Sequence, residues 1–219
     1  MRKSILYLSG FMALASTLEA GVANAAFFSY PRLLGVQIEK VTFDTPMLAP
    51  MGHIRFCLHH PKDCEAQKVD FRKRQMLLTV ERWEELNLVN RQVNRDIAPD
   101  PTLGPATEEW KISPASGNCH DYAVTKRHEL LARGWPARDL LLAEVIVPSG
   151  EHHLILVVRT KNIDLVLDNL NANIRAASAT RYQYQWVRIE SPHDPRFWAG
   201  VNVPSPTRVA LASDYLNQN

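Results

Sequence analysis

A thiol at Cys119, adjacent imidazoles at His152 and His153, and a carboxylate at Asp168 are residue types that together can open an acyl bond. The thiolate is the nucleophile, so a useful cysteine needs a setting that favours the anion. Ser113-Pro114-Ala115-Ser116-Gly117-Asn118 is a run of small, turn-forming residues, and a helical run follows it from Cys119 to Arg133. Cys119 therefore falls in the first turn of a helix, where unpaired N–H groups carry partial positive charge. The same terminus offers a main-chain N–H to a developing oxyanion. An imidazole beside the thiol takes its proton, and a carboxylate on the other ring nitrogen fixes the tautomer. Plainer readings exist for each residue: a packing cysteine, a satisfied strand histidine, and an Asp168-Asn169 pair that only caps a strand.

Two helices and a sheet must position these groups. Gly134 suits the C′ position of the Cys119 helix, and Pro136 prevents its continuation. Cys119, Tyr122, Ala123 and Leu130 share one face of it, which is expected to be buried. Trp83, Leu86, Val89, Val93 and Ile97 recur at helical spacing after Thr79, which predicts an amphipathic helix from about Val80 to Asp96, ended by Pro99 and Pro101. Asn90 and Asn94 lie one turn apart on it, either as a solvated edge or with an amide reaching a buried site. With Asn169 they are candidates for oxyanion donation or support.

Leu140–Val147, His152–Thr160 and Ile163–Asp168 are β-branched and apolar on both faces, as in a sheet covered on both sides. Tyr182, Tyr184 and Trp186 alternate with Gln183 and Gln185 and read as a half-exposed strand. Residues 26–61 read as loops with short strands. Residues 100–116 read as a connection in which Trp110 anchors to the core. There is no internal repeat and no second domain, so one domain over residues 26–219 is expected.

Hairpin geometry connects the histidines to Asp168. A two-residue turn at Lys161-Asn162 sets Thr160 opposite Ile163, and hence Ile155 opposite Asp168. Side chains alternate, so His153 shares the face of Ile155 and Asp168 and is a diagonal neighbour of the carboxylate. A three-residue turn would select His152 instead.

Residues 1–25 read as a secretory leader: Arg2 and Lys3, the apolar stretch Ile5 to Ala15, and the small-residue pattern Ala23-Asn24-Ala25. The apolar stretch is shorter than the roughly 20 residues that span a bilayer. Cleavage removes Arg2, Lys3 and Glu19, and so takes one positive charge from the formal +2. Such near-balance gives no reason to expect nucleic acid as a partner. The chain has three cysteines. In an oxidising compartment Cys57 and Cys64 are close enough to close a small loop, leaving Cys119 free. The alternative is a metal held by both with His53, His59 and His60.

Gly117-Asn118-Cys119-His120-Asp121-Tyr122-Ala123, with Lys126-Arg127 and Gly134-Trp135-Pro136, resembles the G-D-C-E-D-Y-A…K…G-W-P signature of bacterial transglutaminase-like cysteine proteinases, which include the LapG-type periplasmic proteases. His153-Leu154-Ile155-Leu156 resembles the family's H-x-V-L strand and Val166-Leu167-Asp168-Asn169-Leu170 its V-L-D-N-L strand. Phe56-Cys57, Pro61 and Cys64 also match. So do Trp83, Leu86, Val89-Asn90 and Val93-Asn94, and then Trp186, Ser191-Pro192, Asp194-Pro195 and Trp198.

The resemblance implies a papain-like or transglutaminase-like α+β fold. The Cys helix would pack on an antiparallel sheet carrying His and Asp, with catalysis by Cys119, His153 and Asp168. It implies a periplasmic setting, a protein substrate of the cell-surface adhesin kind, and a membrane receptor as regulator. The acidic residues that flank the family's cysteine and accompany calcium are here Asn118 and His120, and only Asp121 remains of that cluster. A hard cation wants several oxygen ligands. The expectation is therefore no cofactor and no metal site, save a weak calcium site at Asp121. Peptide-bond hydrolysis is the expected activity, because water is always present. Acyl transfer to an amine shares its first step, and a non-catalytic binding module on the same fold is a third reading.

Overall fold

Leu140, Leu142, Leu154 and Leu156 pack on one side of a sheet, and Leu141, Ala143, Ile155 and Val157 on the other; all are buried. Apolar residues at every position of a strand leave no face for water, so both sides must be covered. The computed structural model describes residues 39–66, 76–100 and 109–204. These fall in one unit, Val36–Asn219. The leader expected at residues 1–25 and the segment from 205 onward lie outside the described residues.

In chain order the elements are β1 (Thr42–Met47), α1 (Met51–His59), a 3-10 turn at Pro61–Cys64, α2 (Val80–Asp96), β2 (Ala98–Pro99), β3 (Ser116–Gly117) and α3 (Cys119–Ala132). There follow a 3-10 turn at Ala137–Asp139, β4 (Leu140–Ile146), β5 (His152–Arg159), β6 (Asp164–Leu167), β7 (Arg175–Ala176), α4 (Ala177–Thr180), β8 (Gln185–Glu190) and β9 (Trp198–Asn202). Seven strands form one antiparallel sheet in the order β1-β9-β8-β4-β5-β6-β7. This is the mixed helix and antiparallel-sheet class expected from the sequence.

Helices α2 and α3 cover one side. Leu86, Val89 and Val93 of α2 and Tyr122, Ala123 and Leu130 of α3 join the leucines of that face. Thr79 caps α2 by accepting from the Arg82 N–H at 3.3 Å. Gly134, at φ +80°, ends α3; its N–H donates to Leu131 and that of Trp135 to Leu130. This is the Schellman pattern, in which a left-handed residue satisfies the last carbonyls. The opposite side of the sheet is filled by Val41, Ala177, Tyr184 and Ile189.

Two local expectations fail. Residues 51–59 form a helix where loops and short strands were expected. That helix is nine residues long and buries Gly52, His53 and Phe56. A segment this short is held by tertiary packing rather than by its own periodicity. The strand expected from Tyr182 begins only at Gln185. The N–H groups of Gln183 and Tyr184 both bond to the Thr180 carbonyl, so this stretch turns before it pairs.

Candidate active site

Cys119 is the first residue of α3, and three interactions fix that terminus. Asn118, at φ −108° and ψ −175°, accepts from the His120 N–H at 3.1 Å. Asp121 returns the contact, its Oδ2 accepting from the Asn118 N–H at 3.0 Å. Its Oδ1 accepts from the Lys111 N–H at 2.7 Å. Gly117 lets this carboxylate in: a Cβ there would lie 2.4 Å from Asp121 Oδ2. Parallel pairing of Ala98 with Ser116, and the Tyr122 hydroxyl donating to the Ile97 carbonyl at 2.6 Å, tie the end of α2 to this corner.

The hairpin of β5 and β6 has the predicted two-residue turn. Leu156 opposes Leu167 and Arg159 opposes Asp164, and that register puts Ile155 opposite Asp168. The His153 Nε2 lies 2.8 Å from Asp168 Oδ1, and both residues are buried. His152 is exposed and pairs instead with Glu144, which also holds Arg188.

Asp168 sits in a complete donor shell. Besides His153, the Leu170 N–H donates to Oδ1 at 3.0 Å and the Tyr184 hydroxyl donates to Oδ2. Burial raises its carboxyl pKa, but bonds from His153, Tyr184 and Leu170 outweigh that and leave it lowered. Burial pushes the His153 imidazole down, but bonds to Asp168 and to Cys119, with their negative charges, hold it up at about 9. Those contacts bring Cys119, His153 and Asp168 together around one ring.

His120 lies beside this group. Its ring stacks on Trp110 with centroids 4.9 Å apart, and its Nδ1 faces Asn118 Oδ1 at 3.1 Å. Burial, and then the neighbouring His153, lower its pKa to about 4, so it is neutral near pH 7. Lys126, two turns along α3 from Cys119, is fully buried, and its amine has no hydrogen-bond partner among the described residues. Burial lowers its pKa to about 7, with Asp168 opposing.

The three asparagines expected near the site have distinct places. Asn94 Nδ2 donates to the Asp168 carbonyl at 2.9 Å, and Asn90 Nδ2 to the Ala172 carbonyl at 2.9 Å. Each thus gives an N–H to the backbone that carries or follows Asp168. Asn169 follows that carboxylate, with its Oδ1 buried and unpartnered among the described residues.

Sequence reasoning missed two features. Alternation marks Tyr184 only as one residue of a strand, with no sign of the carboxylate it meets. A buried cluster behind the site joins His53 Nε2 to Glu190 Oε1 at 2.7 Å, with the Leu142 N–H donating to Glu190 Oε2 and Arg127 close by. Its members lie far apart in sequence, so no local pattern marks them.

Cys57 and Cys64 are joined in a disulfide, and Cys119 is free. Among the described residues, His53, Cys57 and Cys64 are the group whose ligand atoms lie close enough for a metal, but those sulfurs are bonded to each other. His59 is turned to the Arg55 carbonyl at 2.9 Å.

Residues 44–205 match the family model of bacterial transglutaminase-like cysteine proteinases. No curated protein matches the chain closely enough to count as a relative. Among solved structures, calcium-bound LapG of Legionella pneumophila is 22% identical, covering 64% of this chain and 82% of that one at a TM-score of 0.47. EGTA-treated LapG of the same organism is 23% identical, covering 62% and 77% at a TM-score of 0.45.

The calcium-bound form corrects the expectation of no cofactor: that LapG binds calcium, and a cofactor-free chemistry is not a supported reading of this chain. Beside Cys119, Asp121 is the carboxylate that the resemblance kept for such a site, and each of its oxygens already accepts one main-chain N–H.

Among the described residues, no helix is long and apolar enough to cross a membrane. With a free cysteine at a helix N-terminus, and a family match that spans most of the chain, this protein belongs to the bacterial transglutaminase-like cysteine proteinases and is a cysteine protease acting on a protein substrate.

Proposed function

We propose that Cys119 is the nucleophile, His153 the general base and acid, and Asp168 the carboxylate that orients it. The observation that carries this reading is the position of His153, whose Nε2 meets Asp168 and which also bonds the Cys119 thiol. Nδ1 is the ring atom left to face sulfur. His153 takes the Cys119 proton, and the thiolate adds to the scissile carbonyl. The carbonyl electron pair moves to oxygen, where main-chain N–H groups at the start of α3 stabilise it. Collapse of that adduct breaks the C–N bond, and the imidazolium gives its proton to the leaving amine. Water then attacks the thioester with His153 as base, releasing the carboxylic acid and the thiol. Asn94 and Asn90 are supports in this scheme: they hold the 168–172 backbone through their amide N–H groups.

The enzyme acts after export. The leader at residues 1–25 and the Cys57–Cys64 disulfide both fit an oxidising compartment such as the periplasm. A cell-surface adhesin is the substrate class proposed, and a membrane receptor the regulator, both on the family resemblance.

Comparative mass spectrometry of surface and periplasmic proteins tests the function, using strains with wild-type protein and with Cys119→Ala, assayed with calcium supplied. A surface protein that accumulates uncut in the Cys119→Ala strain is expected. Identical profiles would overturn the reading. N-terminal sequencing should find the mature protein beginning near Ala26, and retention of Met1 in exported material would remove the leader.

A further inference from the structure

We infer that Tyr184 is a positioning residue of the reaction, a fourth member of the Cys119–His153–Asp168 chain whose hydroxyl holds the Asp168 carboxylate ionised and turned toward His153. The inference rests on the catalytic roles proposed above.

Asp168 is 2% exposed, so no water layer screens its charge. A buried carboxylate persists as an anion only when donors replace that water. Oδ1 receives two donors, from His153 and from Leu170. Oδ2 receives the Tyr184 hydroxyl. The division matters for geometry. With Oδ2 anchored, the carboxylate cannot swing about its Cβ–Cγ bond, and Oδ1 stays 2.8 Å from the His153 ring.

Tyr184 is 7% exposed and packs in the cluster on the far side of the sheet, with ring centroids 6.2 Å from His153. It is a donor throughout the working range, because burial and the adjoining carboxylate raise its own pKa.

Among the described residues, the charged and titratable groups that face this chain come from helix α3 and strand β7. Helix α3 presents Cys119 and His120 toward His153, and the amine of Lys126 toward Asp168. Strand β7 presents Arg175 toward Tyr184. Among the described residues, the groups that donate a hydrogen bond to the carboxylate oxygens are His153, Leu170 and Tyr184, and only the Tyr184 donor reaches Oδ2.

The test compares mature wild-type protein with Tyr184→Phe and Asp168→Asn. Proton NMR follows the downfield His153 Nε2–H resonance as pH is lowered, and iodoacetamide labelling of Cys119 is timed at neutral pH. Removing the hydroxyl leaves Oδ2 without a donor, so Asp168 protonates more easily. The downfield resonance should then disappear about one pH unit higher in Tyr184→Phe than in wild type, the size expected for one lost bond to a charged group. Labelling should slow about tenfold.

Site-specific 3-fluorotyrosine at position 184 keeps the shape and makes the hydroxyl a stronger donor, so it should move the disappearance to lower pH. It probes the same bond even if the Phe variant does not fold. An unmoved resonance in the fluorotyrosine protein, or in a folded Tyr184→Phe, overturns the inference. If Asp168→Asn labels and cleaves like wild type, the catalytic assignment itself has failed. If Asp168→Asn is crippled while the Tyr184 variants are unchanged, only the role given to Tyr184 falls.

Discussion

Leu156 stands directly opposite Leu167 across the β5–β6 hairpin, and that register decides which of two adjacent histidines faces Asp168. His153 falls on the Asp168 side, while His152 points out to Glu144. If Cys119 and His153 act as proposed, Cys119→Ala and His153→Ala should each lose about a thousandfold or more in cleavage, and the double variant should be little worse, because members of one catalytic unit do not add. His152→Ala should stay within about tenfold of wild type, since it removes only a partly exposed ion pair. Steady-state cleavage of the substrate found by the proteomic comparison measures both. A dead His152→Ala beside an active His153→Ala would reverse the assignment.

The raised pKa of His153 sets a pH window for stability. A base lifted from 6.5 to about 9 in the folded protein contributes stability that is whole below 6.5 and is lost as pH rises through about 9. Denaturant unfolding of wild type and His153→Gln from pH 6 to 10 should show their difference shrinking over that span. Lys126 titrates in the same region, but it is present in both proteins and cancels in the difference.

Lys126 runs the other way. Its amine is lowered from 10.5 to about 7, so the unfolded chain binds more protons between those values, and stability due to this group rises with pH across them. An unpartnered buried cation is costly to keep charged. Lys126→Met should therefore raise the melting temperature at pH 7, with a gain that shrinks toward pH 10. Thermal unfolding at a series of pH values checks this; a variant less stable than wild type at every pH would mean that the amine has a favourable partner.

Gly117→Ala puts a methyl group 2.4 Å from Asp121 Oδ2 and 2.9 Å from its Cβ. The carboxylate caps the helix that begins with Cys119, so the clash should cost about 1–3 kcal/mol and slow alkylation of the thiol. Adding Asp121→Ala removes the carboxylate oxygen that stands closest and leaves only the Cβ contact, so the two losses should fall short of additive. Full additivity in denaturant unfolding would show that the two residues do not meet.

The sequence alone determined what is local. Small residues before Cys119 and a helical run after it fixed the thiol at a helix N-terminus. Given a two-residue turn at Lys161-Asn162, counting along the hairpin put His153 on the side of Asp168, because side chains alternate; the turn length itself was decided by the observed register. Cys57 and Cys64 were near enough in sequence to pair without knowledge of the fold.

What the tertiary structure decided is what arrives from far along the chain. Tyr184 reaches Asp168 because residues 180–184 turn before β8 starts. Asn90 and Asn94 each donate to a loop more than 70 residues away, at separations of 82 and 74. His53 finds Glu190 across 137 residues. No periodicity encodes such contacts: a buried polar group is satisfied by whichever partner the packed core brings near, and that is known only once helix and sheet have closed on each other.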